Sequence, residues 1–263
     1  MKTLQKGFIL FTLLGTGILF SCGEQEAEEQ ETPNDTVDLE VEDVTPVAKE
    51  IEVVCIWDGV PIREEPKQKG KWLSSISLGE VAIWNGEVKV DSSYKNREFY
   101  SVKVSDGTSG WAPNYGLIPD AQAGAVTDEA PIYKRPDVLT ITKKTFAPLD
   151  MVAITQDKEG FYEVIGQNKS KKGWVTKQLV TTSKEDVATA ILATKKMQAI
   201  NKEKPYYQQL EDIIRELPYQ NSIFIQKLRM MADEAYQQYQ KEQEEQEFEE
   251  EYSDEEEEEA GGL

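Results

Sequence analysis

The stretch "FYSVKVSDGTSGWAP", residues 99–113, decides the fold of the middle of this 263-residue chain. Apolar residues alternate on both sides of "DG", a dipeptide typical of tight turns between antiparallel strands. A related stretch, "FYEVIGQNKSKKGWVT", occupies residues 161–176. Both stretches place "FYxV" before the turn and "GW" after it. The sequence therefore predicts the same β-hairpin twice.

The similarity between the two copies extends towards the N-terminus of each hairpin. "PIREEP" at 61–66 matches "PIYKRP" at 131–136, and "LGEVAI" at 78–83 matches "LDMVAI" at 149–154. In the first copy, "VAIWNGEVKV" at 81–90 alternates around "NG", which predicts a further hairpin. Many short strands at close spacing indicate a small β-barrel in each copy.

This order of segments resembles bacterial Src-homology-3 (SH3) domains. The first copy carries the residues of that pattern, namely Arg63, Gly79, Glu80, Gly107, Gly110 and Trp111. In the second copy, Tyr133 replaces the arginine and Asp150 replaces the first glycine. The resemblance implies two tandem SH3-like barrels, over residues 51–120 and 121–182. It also implies binding rather than chemistry, since such domains occur in envelope proteins, where some contact peptidoglycan peptides and others act as spacers or assembly modules.

The first copy is also richer in aromatic residues. We predict a ligand groove at Trp57, Tyr94 and Tyr115, because the resemblance places a ligand between the first loop and the last strand. The second copy has Thr127 where Trp57 aligns and has no counterpart of Tyr94. The alternative is that these rings are core or rim packing. The glycine–tryptophan pairs are expected to serve the structure of the closing turns; they are Gly110, Trp111, Gly173 and Trp174.

The first 21 residues have the form of a secretory signal peptide, with a short basic start and an apolar run too short to cross a bilayer. The run ends in "LFSC", residues 19–22, which resembles the lipobox of bacterial lipoproteins. The resemblance implies cleavage before Cys22 and acylation of that cysteine, which would anchor the chain to a membrane of the cell envelope. An ordinary signal peptide with an incidental cysteine is the alternative. Residues 22–50 are acidic and lack aromatic residues, which predicts a disordered tether.

Helical periodicity replaces strand alternation after residue 182. Residues 183–240 contain three amphipathic segments separated by prolines, and Ser183 with Asp186 has the spacing of a capping box at the first helix. These helices are predicted to pack within the chain or on a partner. Residues 241–263 carry 13 acidic residues and one lysine, which predicts a solvated, disordered tail without the fixed geometry of a metal site.

The composition narrows the chemistry. The chain has no histidine, so it has no triad that uses an imidazole base. Its only cysteine besides Cys22 is Cys55, within the apolar run "IEVVCIW", where a buried inert thiol is expected and a reactive thiol is the alternative. The formal net charge of −20 argues against nucleic-acid binding. We expect no cofactor and no metal.

These observations predict a non-enzymatic lipoprotein of a bacterial envelope, at the periplasmic face or the cell surface. Its SH3-like domains would bind an envelope protein or a peptidoglycan peptide. A second hypothesis makes it a structural or assembly lipoprotein in which the C-terminal helices hold the partner and the barrels are spacers. A third, an envelope hydrolase, would depend on two carboxylates facing one cleft, and the sequence nominates no such pair.

Overall fold

The computed structural model describes the backbone of residues 50–260 and the side chains of residues 50–249. All of these residues belong to one compact unit, Pro46–Leu263. The predicted signal peptide (1–21), Cys22 and all but the last residue of the predicted tether (22–50) lie outside the described residues.

The first copy of the repeat forms a seven-stranded antiparallel sheet. Its strands in chain order are β1 (Ile51–Cys55), β2 (Val60–Arg63), β3 (Trp72–Ile76), β4 (Val81–Asp91), β5 (Arg97–Lys103), β6 (Ser109–Pro113) and β7 (Leu117–Pro119). The spatial order is β3-β2-β6-β5-β4-β1-β7. The last strand therefore returns to pair with the first, and β1 is bonded on both edges.

The second copy forms a second sheet with the same order of equivalent strands, β10-β9-β13-β12-β11-β8-β14. Its strands are β8 (Gln122–Val126), β9 (Ala130–Tyr133), β10 (Ile141–Phe146), β11 (Met151–Lys158), β12 (Phe161–Gly166), β13 (Lys172–Thr176) and β14 (Val180–Thr181). The prediction of two small SH3-like barrels followed by short helices is wrong. Within residues 50–260, fourteen strands form two large antiparallel sheets instead, and the helices that follow them end in a long C-terminal helix.

The two sheets share apolar packing. Each has its own core, the first around Val53 and Ile62 and the second around Val126 and Val164. A third cluster combines residues of both sheets; its fully or mostly buried members are Val54, Ile56, Ile118, Ala121, Met151 and Ala153. The backbone N–H of Asn168 also donates to the carbonyl of Ile56 at 2.9 Å. The two sheets are thus packed against each other and are not independent domains joined only by a linker.

Three helices follow the sheets: α1 (Lys184–Met197), α2 (Tyr206–Glu216) and α3 (Ile223–Ala260). They bury one apolar cluster together with Ala125 of β8 and Leu149 of the turn before β11; its helical members include Val187, Ala190, Ile213, Phe224 and Leu228. The helices therefore pack within the chain. Within residues 50–260 no helix is long and apolar enough to span a bilayer.

Asp186 joins the starts of α1 and α3. Ser183 caps α1 by accepting the backbone N–H of Asp186, as the capping-box spacing predicts. The Asp186 carboxylate does not close that box, however. It accepts the hydroxyl of Ser222 at 2.7 Å, the backbone N–H of Ile223 at 3.1 Å and the hydroxyl of Thr181 at 3.0 Å. This buried carboxylate therefore fixes the entry of α3 against α1.

The C-terminal tail is helical rather than disordered. Helix α3 has 38 residues and runs through residues 241–260 of the predicted tail. At about 1.5 Å per residue, it is about 57 Å long. Charge repulsion alone predicts a disordered tail, but glutamate and glutamine are good helix formers, and this segment continues a helix whose first turns are packed.

The predicted "NG" hairpin is also wrong. Strand β4 continues through Asn85 and Gly86 and pairs with β5 on both sides of them, with a shift of register between Trp84 and Val88. Gly86 has a φ of +87°, and the indole N–H of Trp84 donates to the carbonyl of Glu87. The dipeptide therefore makes a β-bulge within one long strand instead of a turn between two.

The structure also corrects the alignment of the copies at the turn before β4 and β11. Leu149 and Gly79 both have positive φ, +72° and +77°. The N–H of Gly79 donates to the carbonyl of Cys55, and that of Leu149 donates to the carbonyl of Val126 in the same way. Leu149 is therefore the counterpart of the glycine, and Asp150, which was aligned with that glycine, is the counterpart of Glu80.

Candidate binding site

Two of the predicted groove residues contact each other on the first sheet. The rings of Trp57 and Tyr115 lie edge to face, with centroids 5.0 Å apart and planes at 74°. Trp57 follows β1, and Tyr115 sits in a single 3-10 turn at Asn114–Gly116. A side chain on Gly116 would meet Val60 at 2.5 Å, so only glycine lets the turn lie against the loop that carries Trp57.

Arg97 connects this pair to the third predicted residue. Its guanidinium carbon lies 4.8 Å from the ring centre of Tyr94 and 5.1 Å from that of Tyr115. A guanidinium held over two ring faces is attracted by the negative charge of both faces. One guanidinium nitrogen, Nη1, also donates to Oε1 of Gln68 at 2.7 Å. Trp57, Tyr115, Arg97 and Tyr94 form a continuous line, which we call the aromatic–arginine row.

A buried carboxylate fixes the loops beneath this row. Asp91 ends β4 and accepts the hydroxyl of Ser93 at 2.5 Å and the backbone N–H of Gln68 at 2.8 Å. These hydrogen bonds, first that of Ser93 and then that of Gln68, lower the pKa of Asp91. The carboxylate thus stays charged and holds the two loops that place Tyr94 and the partner of Arg97.

The row is accessible. Trp57 and Tyr94 each expose 37 % of their surface, and Tyr115 is half-buried. Two further tryptophans of the first sheet, Trp84 and Trp111, are also half-buried. Trp84 stacks on Tyr100 with centroids 4.3 Å apart, and the Lys89 ammonium lies 4.7 Å from the Trp111 ring centre. The row therefore stands apart from the aromatic packing of the sheet.

Sequence reasoning missed Arg97. The signal for Arg97 was local: it follows Tyr94 by three positions, and its backbone N–H donates to the carbonyl of Tyr94 in the turn after β4. An arginine three positions after a tyrosine is a spacing that can be recognised in the sequence. The contact with Tyr115, by contrast, joins segments distant in the chain and needed the fold.

The second sheet has no equivalent row. The N–H of Thr127 donates to the carbonyl of Leu179 as that of Ile56 donates to Gly116, so the counterpart of Trp57 is Asp128 rather than Thr127. Asp128 pairs with Lys227 of α3 at 3.2 Å. The place that an aromatic side chain occupies on the first sheet therefore receives a helix on the second.

The glycine–tryptophan pairs lie within strands, after the turns. Gly110 and Trp111 are in β6, and Gly173 and Trp174 are in β13. A side chain on Gly110 would lie 2.6 Å from the carbonyl oxygen of Arg63, and one on Gly173 would lie 2.4 Å from Ile132. Each glycine is thus required where β6 or β13 crosses close to β2 or β9.

Cys55 is fully buried in the core of the first sheet. Its thiol donates to the carbonyl of Trp57 at 3.0 Å. Burial raises the pKa of this thiol from 9.0 to about 12, so at neutral pH it is protonated and a poor nucleophile. Of the two readings of this cysteine, the geometry favours the inert thiol.

A large cleft of the described residues lies elsewhere. It has a volume of about 820 Å³ and is lined by the turn before β4, by residues 121–123 and by α1. Its walls include Leu78, Val81 and Ile191, and none of the predicted groove residues reaches it. Within the part of the chain described by the structure, no group of three or more Cys, Asp or Glu side chains is placed to hold a metal ion.

Comparisons with known proteins give no family. No protein-family model matches the chain, and no curated protein matches it. Among solved structures, NlpC2 from Trichomonas vaginalis has 14 % identity and a TM-score of 0.23, with 64 % of this chain and 56 % of that chain covered. NlpC1 from the same organism has 14 % identity and a TM-score of 0.22, with 58 % and 55 % covered.

The chain therefore spans little more than half the length of these two proteins. At such TM-scores the likeness does not establish a shared fold, and neither protein supplies an argument about activity or substrate. The comparisons also leave the resemblance to bacterial SH3 domains without confirmation.

Proposed function

We propose that this chain is a non-enzymatic, lipid-anchored protein of a bacterial envelope that binds an extended polypeptide segment on the aromatic–arginine row. The segment belongs to an envelope protein or to the peptide of peptidoglycan. The observation that carries the proposal is the continuous line of Trp57, Tyr115, Arg97 and Tyr94 on the surface of the first sheet.

The chemistry of the row suits such a ligand. Aromatic rings offer flat apolar contact at a low cost in conformational entropy, and tryptophan, tyrosine and arginine are the residues most enriched at binding hot spots. Arg97 supplies donors for a carboxylate or a backbone carbonyl. The supporting loops are fixed by Asp91, so the ligand would meet a preformed surface.

The test is chemical crosslinking of the chain to its partner in the native envelope, repeated on purified sacculi. A matched position is Trp72, which is 60 % exposed on the same sheet but lies outside the row. We expect Trp57→Ala to weaken capture at least about ten-fold and Trp72→Ala to leave it unchanged. Equal losses, or capture that survives Trp57→Ala, would refute the use of the row. Zymography on the same sacculi checks the expectation that the chain is not a hydrolase.

The anchor is tested separately. If Cys22 carries acyl chains, Cys22→Ala moves the protein from the membrane fraction to the soluble fraction after its signal peptide is removed. Unchanged fractionation of Cys22→Ala would contradict the lipoprotein assignment while leaving the row untouched.

Helix α3 favours a second candidate function, that of an assembly lipoprotein whose helices hold the partner. Ile223 and Met230 are seven residues apart, so they share one face of α3, and they are 49 % and 53 % exposed. Removing residues 183–240 would not test this, because the helices form a core with the second sheet. The surface variant Met230→Glu should abolish capture under this hypothesis and leave it intact if the row is the site.

A further inference from the structure

The loop between β9 and β10 presents apolar side chains to solvent. Val138, Leu139 and Ile141 are 61 %, 87 % and 57 % exposed. The loop is well ordered by hydrogen bonds. Asp137 accepts the N–H of Leu139 at 2.9 Å, and the backbone N–H of Lys134 donates to the carbonyl of Thr140 at 3.0 Å. The aliphatic residues are therefore held outwards by a rigid turn.

Basic residues surround this apolar tip; they are Lys134, Arg135, Lys143 and Lys144, and all four are exposed. Among the described residues, none of these four side chains has an acidic partner within ion-pair distance. The segment 134–144 contains a single acidic residue, Asp137, so its formal charge is +3 in a chain of formal charge −20.

The equivalent loop of the first sheet is built differently. It reads "EEPKQKGKW" at 64–72, and its charges pair internally: Lys67 with Glu65 at 2.7 Å and Lys71 with Glu64 at 3.3 Å. The N–H of Gly70 donates to the carbonyl of Lys67, and the N–H of Thr140 donates to the carbonyl of Asp137. By this hydrogen bond Gly70 corresponds to Thr140, so Lys69 is the counterpart of Leu139. The related loops thus differ in charge and apolarity: the first has a formal charge of +1 and two internal ion pairs, whereas the second has a formal charge of +3 and exposed aliphatic side chains.

We propose that the segment 134–144 rests on an anionic lipid surface, with Leu139 and its aliphatic neighbours in the headgroup region and the basic residues beside lipid phosphates. Exposed aliphatic residues flanked by lysine and arginine have the chemistry of an interfacial membrane contact. Strand β10 lies at the edge of its sheet, and lysines alone would be explained as protection of that edge against pairing with another chain. A leucine that is 87 % exposed beside the edge favours association instead, so that explanation does not account for Leu139.

The acidic composition of the chain does not oppose this contact locally. Residues 51–240 contain 25 acidic and 25 basic residues, so the surplus of acid lies in the segments before and after them. In about 0.1 M salt, charges that lie more than about 10 Å apart are largely screened from each other. The proposal does not use the aromatic–arginine row and stands or falls independently of it.

The experiment uses residues 23–263, which lack the predicted signal peptide and the predicted acylation site, with a fluorophore at Leu139→Cys or, as the matched control, at Lys69→Cys. Cys55 is buried and does not take the label. The probe is a vesicle of phosphatidylglycerol with brominated acyl chains. We expect bromine to quench the label at 139 and not at 69, with little quenching on phosphatidylcholine vesicles.

Charge variants give the second arm. Lys143→Gln and Lys144→Gln should each weaken vesicle binding by about five-fold, and Lys69→Gln should not. Failure of the chain to bind phosphatidylglycerol vesicles, or equal quenching at 69 and 139, overturns the proposal. So does a label at 139 that is already shielded without vesicles and released by salt, since that result points to an acidic segment of the chain as the occupant.

Discussion

The two sheets repeat one strand order and differ in what they present to their surroundings. The first sheet carries Trp57 where the second carries Asp128, and it leaves that face open where the second binds α3. At the turn before the long strand, Gly79 leaves room for Ile191 of α1, whereas Leu149 fills the helical core itself. One strand order therefore presents an exposed aromatic surface in the first sheet and packs against helices in the second.

The largest effect is expected where the helices meet the second sheet. Asp186→Ala removes a buried carboxylate and leaves the donors of Thr181, Ser222 and Ile223 without an acceptor. The free energy of unfolding should fall by about 3 kcal/mol. Hydrogen exchange should accelerate in α1 and α3 more than in β1–β7. Equal acceleration of hydrogen exchange in both sheets would contradict the assignment of the helices to a core shared with the second sheet alone.

The next effect concerns the turn that distinguishes the copies. Leu149 is buried and has a φ of +72°. Leu149→Ala should cost about 3 kcal/mol, because it empties a core position and keeps the strained backbone. Leu149→Gly loses the same side chain but relieves the strain, so it should be more stable than the alanine variant by about 1 kcal/mol. Urea unfolding measures both, and an alanine variant more stable than the glycine variant would contradict the assigned strain.

A third effect is absent at neutral pH and appears only in alkali; it compares Cys55 with its counterpart Val126. The folded state raises the pKa of the Cys55 thiol from 9.0 to about 12, so above pH 9 the unfolded chain loses this proton first. Stability should therefore fall as pH rises from 9 towards 12, by at most about 1.4 kcal/mol per pH unit, with no contribution below pH 9. Cys55→Val should remove this part of the slope. Identical slopes for both proteins, measured by urea unfolding across that range, would contradict the assignment.

The repeat was predictable from the sequence because glycine, tryptophan and paired aromatic residues recur at matching intervals. The closure of each copy into seven strands was not predictable. Strands β7 and β14 are short and can be recognised only by their pairing with β1 and β8. The bulge at Asn85 and Gly86 has the same local sequence as a hairpin, and only the continuous partner β5 distinguishes them.

The candidate site was predictable in part for the same reason. Trp57 and Tyr94 stood out as aromatic residues with no aligned counterpart in the second copy, and the resemblance to SH3 domains added Tyr115 beside the last strand. Their contact through Arg97 depends on how loops after β1, β4 and β6 converge, which a sequence does not show. The one-residue errors at Thr127 and Asp150 arose because the copies differ in loop length, and backbone hydrogen bonds were needed to place their counterparts.

The position of β1 has a mechanical consequence. It is the first strand of the described fold and is hydrogen-bonded on both edges, to β4 and to β7. A load applied through the chain that precedes Ile51 would pull along this strand, so both rows of hydrogen bonds would resist together in shear instead of opening one at a time. In a protein held by its N-terminal segment, β1 would thus resist a pulling force more strongly than a strand bonded on one edge alone.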